Sequence, residues 1–75
     1  MNANTEPPLT IELASVPDRD DLVAEVWLGQ SLLAELRNEG GQVRVQLYSS
    51  SSGQAWDLPY EALRAALVLA RSKLV

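Results

Sequence analysis

The chain reads as an α+β domain: an antiparallel meander of about four strands with one C-terminal helix packed on one face. Three observations predict it. Segments 9–14 and 43–48 alternate apolar and polar residues with period two, glycines punctuate the stretch between them, and segment 60–74 carries its apolar residues at helical spacing.

In the first strand Leu9, Ile11 and Leu13 share one face and alternate with Thr10, Glu12 and Ala14. Val16, Pro17, Asp18 and Arg19 then suit a turn, because Pro17 presets its φ and Asp18 bonds the backbone that follows. Segment 21–37 is ambiguous, since Leu22, Val26, Leu33 and Leu36 also fit a helical stripe that Gly40 would cap. Gly29, lying between two similar arms, favours a hairpin. A three-residue turn at 29–31 sets Leu28 opposite Leu32, Val26 opposite Ala34 and Ala24 opposite Leu36. Carrying that register through a four-residue loop at 38–41 places Leu36 opposite Val43, Ala34 opposite Val45 and Glu35 opposite Arg44.

The serines at 49–52 and Gly53 form a polar connection without an apolar anchor, expected to be a mobile loop. Asp57 is placed to cap the helix, and Pro59 in its first turn needs no N–H partner. Tyr60, Leu63, Leu67, Ala70 and Leu74 form the stripe expected to lie on the sheet, while Glu61 and the pair Arg71 and Lys73 complement the helix dipole. Trp56 is expected to cover an edge of the core. Residues 1–8 read as a flexible N-terminal arm and residues 9–75 as a single domain.

Composition narrows the function. A chain of 75 residues buries only about 60% of the surface its unfolded form exposes. With no Cys and no His there is no disulfide, no soft-metal ligand, no ordinary proton shuttle and no thiol nucleophile. The serines have no neighbouring base, since the sole lysine, Lys73, lies on the helix. The run Asp18, Arg19, Asp20, Asp21 lacks the glycine and the closing glutamate of a calcium loop. No catalytic, cofactor-binding or metal-binding residue is assigned, and the expectation is a non-enzymatic chain without cofactors. Ten acidic residues against six basic ones give a net charge of −4, which repels a phosphate backbone and excludes nucleic acid as a partner. No apolar run reaches the roughly 18 residues of a membrane span, and the start lacks a secretory signal, so a cytoplasmic protein is expected.

What remains is a binding surface. The face of the sheet turned away from the helix would carry Glu12, Glu25, Trp27, Leu33, Glu35 and Tyr48, an aromatic and apolar patch ringed by carboxylates that suits a basic protein. A register slip of one residue would instead send Trp27 and Leu33 into the core. Glu25 and Glu35 face each other in this hairpin, which costs stability unless a cation offsets it, and Arg44 is the nearest candidate. Val68 and Leu69 lie off the core stripe, which suggests self-association as a homodimer through the helix.

The run Ala34, Glu35, Leu36, then Glu39, Gly40, Gly41, then Val45, Gln46, Leu47, Tyr48, with Gly53, Trp56 and the Ala- and Leu-rich helix, resembles short uncharacterised bacterial proteins of similar length. In type these look like immunity proteins and antitoxins. That resemblance implies an inhibitor that covers a basic toxin, with a structural or regulatory homo-oligomer as the alternative.

Overall fold

In a computed structural model, which describes residues 8–15 and 22–75, four strands form one antiparallel sheet in the order β1-β2-β3-β4, and a single helix lies against it. The strands are β1 (Leu9–Ser15), β2 (Leu22–Leu28), β3 (Ser31–Glu39) and β4 (Gln42–Leu47), and the helix α1 spans Tyr60–Ser72. The expected α+β meander is therefore present. The turn read at 16–19 and nearly all of the N-terminal arm lie outside the described residues.

Alternation sorts the sheet into two faces. On the helix side, Leu13, Ala24, Leu36 and Val45 form one row across the strands, and Ile11, Val26, Ala34 and Leu47 the next. Ala24, Val26, Leu33, Ala34 and Leu36 join Ala66 and Ala70 of the helix in one buried cluster, with Trp56, Leu58, Leu63, Leu67 and Leu74 packed around it. The small side chains Ala24, Ala34, Ala66 and Ala70 meet at the centre, which lets the helix backbone sit close to the strands.

Both turns are tighter than the sequence suggests. Gly29 and Gln30 alone connect β2 to β3, with Gly29 at φ 61°, so Leu28 faces Ser31 rather than Leu32. The inner pairs Val26 with Ala34 and Ala24 with Leu36 nevertheless stand, because a β-bulge between them and the turn absorbs one residue of β3. That extra residue is Leu33. Likewise Gly40 and Gly41, at φ 61° and 86°, make a two-residue turn, and both signs are those of the hairpin turn whose twist matches the strands. The shorter turn slides β4 by two residues, so Leu36 faces Val45, Arg37 faces Arg44 and Glu35 faces Gln46. A slip of two preserves the faces, which is why the apolar rows survive the correction. Replacing either Gly40 or Gly41 with alanine is expected to destabilise the fold by about 1 kcal/mol, read in a denaturant titration, since a Cβ at positive φ is strained even where nothing crowds it.

The helix also departs from expectation at its start. Pro59 itself occupies the N-cap position, its carbonyl accepting from Leu63 N–H at 3.1 Å, and no side chain caps the helix, so exposed Asp57 does not do so. Of the expected stripe, Leu63, Leu67, Ala70 and Leu74 pack on the sheet, joined by Ala66, whereas Tyr60, at 70% exposure, does not. Ahead of the helix, Trp56 donates its indole N–H to the Tyr48 carbonyl at 2.7 Å and ties the serine loop to the end of β4. That loop closes on itself through Ser52 N–H to Ser50 Oγ at 3.2 Å and Gly53 N–H to the Ser50 carbonyl at 3.1 Å.

Candidate functional site

The face of the sheet opposite the helix is built by the other half of the alternation. β1 contributes Thr10, Glu12 and Ala14; β2 contributes Val23, Glu25 and Trp27; β3 contributes Glu35 and Arg37; and β4 contributes Arg44 and Gln46. Among the described residues no secondary-structure element covers it.

Register brings three carboxylates into line. Glu12 lies directly opposite Glu25, Glu25 directly opposite Glu35, and Glu35 opposite Gln46, so one row across the sheet reads Glu, Glu, Glu, Gln. With strands about 4.8 Å apart, the row holds three like charges within roughly 10 Å. Opposed like charges cost a sheet stability. Arg44 does not relieve them as expected: it stands opposite Arg37 and only diagonal to Glu35. The cation closest to this task is Arg37, two residues along β3, and it is held elsewhere. Its Nε donates to Glu39 Oε2 at 2.7 Å and its Nη1 to Gln46 Oε1 at 3.1 Å. The Glu39 hydrogen bond and charge, with a smaller contribution from Glu35, raise the Arg37 pKa further above its ordinary value.

Trp27 borders the row. Its indole N–H donates to Glu25 Oε1 at 3.1 Å, and it pairs across the strands with Thr10 on one side and Leu32 on the other. Val23, flanked in its row by Ala14 and Arg37, is only 4% exposed, so it adds no apolar area to this face. Tyr48 follows β4, half-buried, its N–H bonded to the Leu33 carbonyl at 3.0 Å. Leu33 does not belong to the open face. At 2% exposure it sits in the core cluster beside Ala34, since the bulge turns two successive residues inward.

The remaining candidates lie elsewhere. Val68 and Leu69 are both exposed on the helix, and Leu69 borders a groove. That groove, of about 310 Å³, runs between β1 and α1 and is lined by Pro8, Leu9, Ile11, Ala62, Ala65, Ala66 and Leu69. A second hollow of about 450 Å³ lies against the serine loop, lined by Ser49, Ser50, Gly53, Gln54, Ala55 and Trp56. Neither collects titratable side chains. Among the described residues no cluster of His, Cys, Asp or Glu is arranged to hold a metal ion, the three glutamates being strung along a line rather than converging. Comparison with known proteins finds no family model, no curated sequence and no solved structure that matches the chain.

The glutamate row makes a measurable prediction about the isolated chain. Glu25→Gln removes the central charge, and with it two opposed pairs, while keeping an acceptor for the Trp27 indole. It is expected to raise stability by about 0.5 kcal/mol at low salt, a gain that shrinks as salt is added, read by thermal or denaturant unfolding.

Proposed function

We propose that the chain is a non-enzymatic protein-binding module whose open sheet face masks a basic surface on another protein, in the manner of an immunity protein or antitoxin. The observation that carries this reading is the row Glu12, Glu25, Glu35: three carboxylates aligned across three strands, with no cation opposite any of them among the described residues. Mutual repulsion in the isolated chain becomes attraction once cationic side chains are laid along the row, so the free energy stored in the row favours the complex. Trp27 supplies the flat, half-buried aromatic that commonly anchors such interfaces, and its bond to Glu25 holds both side chains in place. The net charge of −4 steers a basic partner toward this surface.

The test is capture from a lysate of the native host on the tagged chain at low salt, repeated at high salt and with the double variant Trp27→Ala, Glu25→Lys. The reading expects a basic protein in stoichiometric amount, released by salt and absent from the variant, whose own activity is blocked by the wild-type chain. Recovery of an acidic protein, or of a protein retained equally by the variant, contradicts it.

A further inference from the structure

We propose that this chain also pairs with a second copy of itself through the free edge of β1, forming one continuous eight-stranded sheet around a twofold axis, with the groove between β1 and α1 of each copy closed by the other copy's helix. The interface uses the edge of β1, whose Thr10 and Glu12 also belong to the open face, and leaves the β2, β3 and β4 part of that face accessible.

Four observations converge on it. First, β1 ends the sheet, and among the described residues no strand pairs with its outer side; edges of this kind pair with other strands. Second, the helix-side surface beside that edge is apolar: Leu9, Ile11, Ala62, Ala65 and Leu69 line the groove, and Leu13 and Leu69 remain 47% and 49% exposed. Third, the spacing fits. The helix rests chiefly on β1 and β2. An axis half a strand spacing beyond β1 therefore lies about 5 Å from the helix in projection, so two copies of α1 would run about 10 Å apart, at the upper end of ordinary helix packing. Ala62 and Ala65 are small enough to permit that approach.

Fourth, the charges are self-complementary. A twofold axis normal to the sheet makes both β1 strands and both helices antiparallel. The two helix dipoles then oppose, and the acidic first turn of each helix, with Glu61, lies toward the end of the other that is followed by Lys73. In the strands, placing Ile11 on the axis sets Leu9 against Leu13 of the second copy and Thr10 against Glu12 of the second copy. Sliding by two residues toward the C-terminus would put Glu12 against its own copy, a like-charge clash, and a slide of one would turn the apolar side chains to the wrong face.

Sedimentation of the full chain over micromolar to millimolar concentrations tests the proposal, with circular dichroism as the check on fold. A concentration-dependent dimer is expected. Leu69→Glu, in the groove but outside the buried cluster, is expected to leave only monomer. Thr10→Glu, on the other face of the edge, is expected to weaken the dimer at least tenfold because symmetry repeats its clash with Glu12, whereas Thr10→Lys tightens it. Should Leu69→Glu disturb the fold, the two Thr10 variants decide the matter alone. A wild-type chain that stays monomeric throughout, or a dimer indifferent to the sign of the charge at position 10, overturns it.

Discussion

Leu36→Ala is expected to lower the stability of the fold by about 3 kcal/mol, the largest effect of any single truncation in the sheet. Leu36 is among the largest fully buried side chains, and it faces Ala24 on one side and Val45 on the other within a cluster otherwise rich in alanine. Those small neighbours cannot expand to fill the space, so the cavity term adds to the lost transfer free energy. A domain of this length has a total stability on the order of 4–11 kcal/mol, so one residue removes a large share of it. The midpoint of thermal unfolding is expected to fall by roughly 10–20 °C. Leu47→Ala is the control: Leu47 occupies the same face on β4 but is 70% exposed, because the helix does not reach that strand, and its loss is expected to cost less than about 1 kcal/mol. Equal losses for the two would mean that the helix covers the sheet differently.

Trp27→Ala combined with Glu25→Lys is expected to weaken partner binding by at least about 100-fold while leaving the domain folded. Neither side chain belongs to the buried cluster, and the new lysine would stand between Glu12 and Glu35, relieving the row. The two changes are not independent, because the Trp27 indole donates to Glu25; each single variant is expected to lose part of what the other loses. Titration calorimetry on the captured basic protein, with circular dichroism on the free variant, reads both effects. Unchanged affinity would remove the open face from the account.

The elements of the fold were legible because alternation and helical spacing are strong, local signals: Leu9, Ile11 and Leu13, or Val43, Val45 and Leu47, leave little choice of face. Register was less legible, since the inner pairs accept a shift of two residues without exposing an apolar side chain. Only turn length decides between the two registers, and the signal was Gly40 followed by Gly41, which fits a two-residue turn at no steric cost. Leu33 was misplaced for a related reason. Leu32, Leu33 and Ala34 are consecutive apolar residues that strict alternation cannot accommodate, and the bulge is how the chain resolves them. Helical spacing placed Tyr60 on the core stripe and left Ala66 off it, whereas close packing of helix on sheet buries the small Ala66 and leaves Tyr60 70% exposed at the helix start. In the site, Glu25 opposite Glu35 could be read from the hairpin alone. Glu12 completing the row could not, because the turn signal at 16–19 does not fix the length of the connection from β1 to β2 and so leaves their register open.

The most direct measurement is an NMR titration of the labelled domain with the basic protein recovered at low salt, following the indole N–H signals of its two tryptophans. Trp27 bonds to Glu25 on the open face, and Trp56 bonds to the Tyr48 carbonyl beside the core, so the two protons report separate places. The account predicts that the Trp27 indole signal and the amides of Glu12, Glu25 and Glu35 shift together on binding while the Trp56 indole signal stays fixed. Shifts confined to Trp56, the helix or the β1 edge, with Trp27 unmoved, would contradict it.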